Sequence, residues 1–383
     1  LVDDPLAALA ALARAWRRRV GARVVGITGS NGKTSTKDMI ATALAVRLRV
    51  HRTDGNLNGQ IGVPLTLLAC PHDAQVIVLE MGISVPGEMA RLCAIAAPDI
   101  AVITMIGEAH LAQFGTVERI AAEKWGIVQA LPPGGLAVLP YDCPPLAGRS
   151  LPVGVRVRTF GEDLGADVRM TAYEQTATGA RALLPDAGME LILPVAGRHL
   201  ATNALAALVV ADELGVVRAE AVAALRRLQL TGARMAMMRD DRGRIWINDA
   251  YNSAPASVLA ALAVLRDLPV GRRIAVLGDM LELGEESVRM HEQIGRAAAL
   301  AGVDDLLSIG VYAVHVASGA SAPQAQVAVS IAADVDDARP QLERLLAAAD
   351  GNCAVLVKGS RKLALERLVA AFVGEPGRRG ASG

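Results

Sequence analysis

The chain has 383 residues, 52% of them hydrophobic and only 3% aromatic, so it is long enough for two domains with aliphatic cores. Its 39 basic and 39 acidic residues balance, which gives no electrostatic reason to expect nucleic acid or an anionic membrane as a partner. No apolar run reaches the roughly 18 residues of a membrane span. Four distant cysteines without a C-x-x-C pair suggest neither a zinc site nor a disulfide framework, so we expect a cytoplasmic protein.

Strand-like and helix-like segments alternate along the first part of the chain. Residues 6 to 19 carry apolar residues at helical spacing and predict a helix. The β-branched run ARVVGITG predicts a buried strand, and KTSTKDMIATALAVR predicts the helix that follows it. The alternation continues through AQVIVLEMG, PGEMARLCAIAAP, DIAVITMIG, TVERIAAEKWGIVQAL and GGLAVLP. This order predicts βαβ units and a mostly parallel sheet.

The pattern changes at residues 151 to 195, where the short alternating runs VRVRTFG, ADVRMTAYE and MELILPV predict an antiparallel patch. HLATNALAALVVADELGV then predicts a helix that ends at Gly215. After residue 232 the alternation resumes with RIWINDA, SVLAALAVLRDL, RRIAVLGDM, VRMHEQIGRAAALAG, DDLLSIG, PQLERLLAAA, NCAVLVKGS and ALERLVAAFV. The predicted fold class is therefore α/β, with a mostly parallel central domain followed by a second, smaller α/β domain.

The segment TGSNGKT lies between the first predicted strand and the next helix. Gly32, Lys33 and Thr34 fit the end of the common P-loop, but Ile27 stands where that loop has its first glycine. Backbone N–H groups at such a helix start bind phosphate, and glycines such as Gly29 let the backbone approach it. Lys33 would neutralise phosphate charge, and the Thr34 hydroxyl would ligate Mg²⁺. The alternative is an ordinary strand–helix turn.

Three further polar residues follow consecutive βα units of the same sheet. Glu80 ends the strand of VIVLEMG, His110 follows the strand of VITMIG, and Lys124 lies on the next helix. Ligands of doubly wound sheets bind at the carboxyl ends of strands, so an acid there is well placed to bind magnesium. Taken singly, Glu80 is equally well explained as a cap, whereas His110 is better explained as a structural histidine and Lys124 as a solvated lysine.

At these residues the sequence resembles the Mur ligase family, the ATP-dependent amide-forming enzymes of peptidoglycan synthesis. TGSNGKT matches the family loop T-G-[ST]-N-G-K-[ST] at every position. Further matches extend from residue 24 to about residue 370: TDGNLNGQIGVPLTLL, LEMGISVPGEM, IGEAHLAQFGTVERIAAEKWGI, GRHLATNALAAL, NDAYNSAPASV, VLGDMLELGEES and VLVKGSRKLALE. GNLNGQIGVP and LGDMLELG indicate the branch that adds D-alanyl-D-alanine.

The resemblance implies a P-loop-type central domain at residues 23–232 and a Rossmann-like C-terminal domain at residues 233–373. Residues 1–22 are expected to form a linker helix from an N-terminal domain, absent from this sequence, that grips the uridine nucleotide. Residues 374–383 are expected to form a disordered tail.

The resemblance also implies roles for individual residues. Lys33 would hold ATP phosphates, Thr34 and Glu80 would bind two magnesium ions, and His110 would help to hold the second. Lys124 matches the family's carbamylated lysine. The implied nucleotide-binding set is Thr28, Gly29, Ser30, Asn31, Gly32, Lys33, Thr34, Asn203, Arg234 and Asp249. The candidate substrate contacts are Asn56, Asn58, Tyr251, Asn252, Asp279, Glu282, Lys358 and Arg361.

Within the substrate set, Lys358 or Arg361 is expected to pair with the carboxylate of the incoming dipeptide, while Asp279 or Glu282 orients its amine. The implied reaction joins D-alanyl-D-alanine to UDP-N-acetylmuramoyl-tripeptide through an acyl phosphate. We expect a monomer. Two alternatives remain at this point: another amide-forming branch, such as an amino-acid-adding ligase or folylpolyglutamate synthetase, or a non-catalytic nucleotide-binding paralogue.

Overall fold

A computed structural model describes residues 1–109, 111–281, 283–321 and 326–373. His110, Glu282 and the tail at 374–383, for which predictions were made above, lie outside the described residues. The α-helices are α1 (Pro5–Val20), α2 (Lys33–Leu44), α3 (Gly62–Leu68), α4 (Glu88–Ala96), α5 (Leu111–Phe114), α6 (Val117–Gln129), α7 (Arg198–Glu213), α8 (Arg218–Leu225), α9 (Pro255–Asp267), α10 (Ser287–Leu300), α11 (Ala313–Ala320), α12 (Val335–Ala347) and α13 (Glu366–Val373).

The strands are β1 (Arg23–Thr28), β2 (Val50–Arg52), β3 (Val76–Glu80), β4 (Ile100–Ile103), β5 (Leu136–Pro140), β6 (Arg156–Gly161), β7 (Val168–Arg169), β8 (Thr171–Thr176), β9 (Gly179–Leu184), β10 (Met189–Leu193), β11 (Ala236–Arg239), β12 (Ile245–Asp249), β13 (Arg272–Gly278), β14 (Asp305–Ile309), β15 (Ala328–Ala332) and β16 (Cys353–Lys358). Short 3₁₀ turns lie at Pro144–Leu146, Pro185–Ala187, Gly284–Glu286 and Arg361–Leu363. No helix in the described ranges is long and apolar enough to cross a membrane.

The chain divides into two compact units. The first contains residues 1–174, 181–193 and 198–231, and the second contains residues 175–180, 194–197 and the chain from Gly232 onward. The first unit is built on a seven-stranded sheet in the order β2-β3-β1-β4-β5-β6-β7, and every pairing in it is parallel. This confirms the α/β fold predicted from alternating segments.

The prediction of an antiparallel patch at residues 151 to 195 is partly wrong. The run VRVRTFG forms β6, which pairs in parallel with β5 and extends the main sheet. Its polar–apolar alternation reflects exposure near the sheet edge, and exposure does not determine strand direction. The run ADVRMTAYE contains β7, which extends the main sheet in parallel with β6, and then β8. β8, β9 and β10 form a separate three-stranded sheet in the order β10-β9-β8, and the two residues between β8 and β9 require an antiparallel hairpin.

Helices cover both faces of the seven-stranded sheet. Apolar side chains of α1, α3, α4 and α6 pack on one face, and α2 and α7 cover the other with α8 against them. At its start, α1 has Pro5 in its first turn and Asp4 as N-cap, and it ends at Gly21, whose φ is 68°. α7 ends as predicted before Gly215, which has a φ of 75°.

The second unit has a six-stranded sheet in the order β11-β12-β16-β13-β14-β15, and only β11 is antiparallel to its neighbour. α12 and α13 pack on one face, and α9, α10 and α11 lie on the other. Trp246 is fully buried in this core, where its ring stacks on Phe372 with 5.7 Å between centroids. This smaller, mostly parallel sheet agrees with the predicted Rossmann-like domain.

One helix of the second unit begins earlier than its sequence predicts. PQLERLLAAA suggested a start at Pro340, whereas α12 begins at Val335 and contains that proline. Asp334 caps the earlier start, because its carboxylate accepts hydrogen bonds from the backbone N–H groups of Asp336 and Asp337 at 2.9 and 3.0 Å. The cap therefore outweighs the helix-breaking tendency of proline.

Candidate active site

The loop between β1 and α2 is fixed by contacts with the loop after β4. Thr104 donates its hydroxyl to the carbonyl of Asn31 at 2.5 Å, and Ser30 donates its N–H to the Met105 carbonyl at 2.9 Å. Gly29 has a φ of 153°, and a Cβ there would lie 1.9 Å from the Thr104 hydroxyl oxygen. Glycine at this position is thus required by the protein's own packing.

The second glycine of the loop is constrained by α7. Gly32 caps α2 with a φ of 82°, and a Cβ on it would lie 2.7 Å from the Asn203 amide nitrogen. Asn203 is buried. The structure therefore brings Asn203 to the phosphate-type loop, as expected for a residue of a nucleotide site, even though 170 residues separate it in sequence from Lys33.

Glu80 lies at the carboxyl end of β3, beside the start of α2. One of its carboxylate oxygens accepts a hydrogen bond from the Thr34 hydroxyl at 2.7 Å, and the other accepts one from the Asn58 amide at 2.7 Å. The backbone N–H of Glu80 donates to the Thr53 hydroxyl at 3.0 Å. Glu80 is only 2% exposed, so these hydrogen bonds determine the orientation of its carboxylate.

Two lysines lie at this site. The Lys33 ammonium donates to the Gly29 carbonyl at 2.8 Å, across the loop. Lys124 on α6 is 1% exposed. Burial, followed by the charge of Lys33, lowers the pKa of Lys124 well below its ordinary value, while Glu123 opposes the shift. Lys124 is therefore a buried amine whose protonated form is disfavoured by its surroundings.

The oxygen donors at this site fit magnesium. Mg²⁺ prefers oxygen ligands and usually takes one or two protein groups, with water and substrate phosphates supplying the remainder. The Thr34 hydroxyl and the Glu80 carboxylate, 2.7 Å apart, are such a pair. No cluster of three or more His, Cys, Asp or Glu side chains suited to a metal occurs in the described part of the chain.

Sequence reasoning missed a buried charged group on α2. Lys37 and Asp38 are fully buried, 3.6 Å apart, and Arg52 also pairs with Asp38. The Asp38 carboxylate accepts the backbone N–H of Thr231 at 2.7 Å and its hydroxyl at 3.0 Å. Because Thr231 is 193 residues away from Asp38, no local pattern in the sequence could have indicated this contact.

Several of the candidate residues meet in the second unit. The Lys358 ammonium donates to the Asp249 carboxylate at 2.6 Å and to the Asn252 carbonyl at 2.8 Å. The Arg234 guanidinium lies 4.3 Å from the centroid of the Tyr251 ring. Asp249 and Lys358 are the last residues of β12 and β16, which are parallel neighbours, and Tyr251 and Asn252 follow β12, so these four residues lie at one sheet edge.

Two candidate contacts, Asp279 and Arg361, have partners that the sequence did not indicate. Both Asp279 carboxylate oxygens accept backbone N–H groups, from Val311 and Tyr312, each at 2.9 Å. Arg361 forms an exposed ion pair with Glu366 at 2.6 Å and lies 5.9 Å from the Tyr251 ring centroid. Asn56 is exposed in the loop that contains Asn58.

Comparisons with known proteins agree with this geometry. Residues 27–211 match the family model for the Mur ligase middle domain, and residues 233–361 match that for the Mur ligase, glutamate ligase domain. A UDP-N-acetylmuramoyl-tripeptide--D-alanyl-D-alanine ligase of Bacillus subtilis is 36% identical over 377 residues, which cover 98% of this chain and 81% of that protein.

Two solved structures have the same fold. The crystal structure of MurF from Acinetobacter baumannii aligns with a TM-score of 0.89 at 31% identity, covering 97% of this chain and 81% of that one. The MurF ligase from Thermotoga maritima in complex with ADP aligns with a TM-score of 0.84 at 30% identity, covering 97% and 84%. These matches confirm both the resemblance seen in the sequence and the predicted fold class. The chain belongs to the Mur ligase family.

Proposed function

We propose that this chain is an ATP-dependent ligase that joins D-alanyl-D-alanine to UDP-N-acetylmuramoyl-tripeptide. The observation that carries the chemistry is the pairing of the Thr34 hydroxyl with the Glu80 carboxylate at 2.7 Å, beside the loop of Lys33. The substrate pair is the one that the name of the Bacillus subtilis relative gives, and that relative matches 98% of this chain. All four cysteines are free, which supports a reducing compartment such as the cytoplasm.

The proposed reaction has two steps. A carboxylate oxygen of the tripeptide attacks the γ-phosphorus of ATP, the bond from that phosphorus to the bridging oxygen breaks, and ADP leaves. The neutral amine of D-alanyl-D-alanine then attacks the acyl carbon, phosphate departs with the electron pair, and the amine loses a proton. Both steps bring nucleophiles toward polyanions, so the site must supply positive charge.

The residues of the first unit would meet that demand. The Lys33 ammonium, now 2.8 Å from the Gly29 carbonyl, would turn from that backbone oxygen to the β- and γ-phosphates. Thr34 and Glu80 would hold magnesium, with His110 as a further ligand; when bound, the metal neutralises charge on the transferring phosphoryl group. Asn203, next to Gly32, would contact the nucleotide.

Lys124 is proposed to act as a carbamate. Its lowered pKa favours the neutral amine, whose lone pair can attack the carbon of CO₂. Loss of one N–H proton then leaves a carbamate with a single negative charge. Carbamylation replaces a buried amine beside Lys33 with an anion that can pair with the Lys33 ammonium. An anion is also the form of this side chain that a metal can bind.

In the second unit, Arg234 and Asp249 are proposed to contact the nucleotide, and Lys358 to hold the Asp249 carboxylate in place at 2.6 Å. Because both oxygens of Asp279 are used by backbone N–H groups, we assign that residue to loop structure. Arg361, on the exposed edge, remains the proposed cation for the dipeptide carboxylate.

The test is phosphate release from ATP by the product of the whole gene, with magnesium, UDP-N-acetylmuramoyl-tripeptide and one amine at a time. We expect turnover with D-alanyl-D-alanine and none with D-alanine or L-lysine. Turnover only with L-lysine or diaminopimelate on the corresponding dipeptide substrate would assign the chain to a different branch of the family. ATP binding without turnover on any acceptor would favour a non-catalytic paralogue.

A further inference from the structure

The segment that follows β13, residues 279–281, is held by side chains from other elements; we call it the β13 loop. The backbone N–H of Met280 donates to Nε2 of His291 on α10 at 2.9 Å. The backbone N–H of Leu281 donates to the Ser360 hydroxyl at 3.1 Å. The loop lies at the carboxyl end of its strand, the edge at which ligands of such sheets bind.

The imidazole of His291 can make its contacts in only one protonation state. Nε2 accepts the Met280 N–H, so it must carry a lone pair and no hydrogen. Nδ1 lies 2.6 Å from the Ser287 carbonyl, which accepts only, so Nδ1 must carry the hydrogen. The neutral Nδ1–H tautomer satisfies both contacts. A second proton, on Nε2, would place the Nε2–H group against the N–H group of Met280, with only 2.9 Å between the two nitrogens.

The surroundings of His291 also oppose its charged form. The side chain is 1% exposed, and its ring stacks on Tyr312 with 4.6 Å between centroids. The nearby charged or titratable groups are Asp279 at the end of β13 and His315 on α11, and the carboxylate of Asp279 is occupied by backbone N–H groups. Glu286, before α10, pairs with Arg289 at the surface.

The electrostatic contributions to His291 act in opposite directions. Burial is the largest influence and lowers the pKa of His291 below its ordinary 6.5, and His315 acts in the same direction, while the Ser287 hydrogen bond and Asp279 act against it. A lowered histidine pKa means that the unfolded state binds the proton more readily. The stabilisation from His291 is therefore complete above pH 6.5 and is lost as the pH falls through the lowered value.

We propose that His291 is a positioning residue that holds the β13 loop in its neutral tautomer and releases the loop when it is protonated. This rests on the proposed function, in which Arg361 pairs with the dipeptide carboxylate, because the β13 loop is bonded through Leu281 to Ser360, the residue before Arg361. Protonation breaks the Met280 hydrogen bond, while Leu281 and Asp279 keep the two ends of the loop attached. The middle of the loop is then free to move at the edge where the dipeptide would bind. Acceptance of D-alanyl-D-alanine is thereby linked to pH, while ATP binding in the first unit is not.

The first measurement needs no substrate. Long-range ¹H–¹⁵N spectra of chain labelled with ¹⁵N-histidine should show an unprotonated Nε2 and a protonated Nδ1 for His291 at pH 7.5. On titration, exchange protection of the Met280 amide should fall with the same midpoint as His291 protonation, below pH 6.5. The proposal is overturned if Nε2 carries a proton at pH 7.5. It is also overturned if exchange protection of the Met280 amide does not change when His291 is protonated.

The second measurement uses the ligase assay and three variants. His291→Leu removes the acceptor and should raise KM for D-alanyl-D-alanine by about tenfold at every pH, since it leaves a buried N–H unpaired. His291→Gln offers an oxygen that does not titrate, so it should restore a low KM at pH 7.5. Below pH 6.5 it should retain only the rise in KM that protonation of the dipeptide amine causes in every variant. His315→Gln, the same change at the neighbouring histidine, should retain the full rise of the unmodified chain.

The proposal is overturned if the pH dependence of KM for D-alanyl-D-alanine is the same in His291→Gln as in the unmodified chain. It is also overturned if KM for ATP rises in parallel with KM for the dipeptide. If no acceptor supports turnover, the proposed function fails, and the two spectroscopic results still decide whether His291 holds the loop. A His291→Gln chain that does not fold leaves the decision to the same spectra.

Discussion

Glu80 illustrates how much of the site depends on single side chains. Each of its carboxylate oxygens has one partner, Thr34 on the helix side and Asn58 on the loop side. If Glu80 binds magnesium as proposed, the metal would take the place of the Thr34 contact and Asn58 would still hold the other oxygen. In that proposal Asn58 supports a metal ligand, whereas its sequence context suggested a substrate contact.

Asn58→Ala is predicted to lower turnover by about ten- to a hundredfold, because removing a group that orients a metal ligand typically has an effect of that size. The weakening should appear as a higher magnesium requirement at fixed ATP. Asn56→Ala is the matched control, since Asn56 is exposed in the same loop, and it should remain near the unmodified rate. Equal losses in both variants would instead favour direct substrate contact by the loop.

Lys124 is predicted to reduce the stability of the fold as long as it remains an unmodified amine. Its lowered pKa means that the unfolded chain binds this proton while the folded chain resists it, so stability falls as the pH drops from the ordinary lysine value of about 10.4. Lys124→Met should therefore raise the free energy of unfolding at pH 7 in CO₂-free buffer, and the gain should shrink toward pH 10. Denaturant titrations at the two pH values measure it.

Two comparisons complete that test. Lys362→Met, at an exposed lysine, should leave the free energy of unfolding unchanged at both pH values. Lys124→Met should also reduce ligase turnover at least about a hundredfold, and short carboxylic acids should partly restore it by replacing the carbamate. Full turnover in Lys124→Met would remove the carbamate from the mechanism.

At the scale of elements, the sequence predicts best where periodicity and caps are local. The buried strands β1, β3 and β13 and the helices α1 and α7 follow from β-branched runs, helical spacing and end signals within a few residues. The pairing of β6 with β5, and of Asp38 with Thr231, depends on partners that only the folded chain brings near. The loop TGSNGKT could be predicted from the sequence for the same reason as β1, because its residues are consecutive.

The cap of α12 yields a quantitative expectation. Asp334→Ala should lower the free energy of unfolding of the second unit by about 1 kcal/mol, since it leaves two backbone N–H groups of the first turn without an acceptor. Asp334→Asn, which keeps a side-chain acceptor, should cost only a few tenths of that. Thermal melting of the unmodified chain and the two variants checks this expectation. An unchanged melting curve for Asp334→Ala would mean that packing alone determines where the helix begins.

For the whole molecule, the equality of 39 basic and 39 acidic residues has a solution consequence. Molecules without net charge repel one another least, so solubility should pass through a minimum near pH 7. Precipitation measured across pH 5 to 9 at low salt checks this expectation. Val153→Glu and Leu164→Glu, at side chains 94% and 82% exposed, should together move the minimum to lower pH and raise solubility at pH 7.5.

The burial of Trp246 against Phe372 has an optical consequence. The chain has three tryptophans; Trp16 and Trp125 belong to the first unit, and Trp246 is the single indole of the second. Replacing Trp16 and Trp125 with phenylalanine would leave a molecule whose intrinsic fluorescence comes from one unit alone. Its emission would shift to longer wavelength only when that unit opens to water, so the protein contains its own reporter for the unfolding of the second unit.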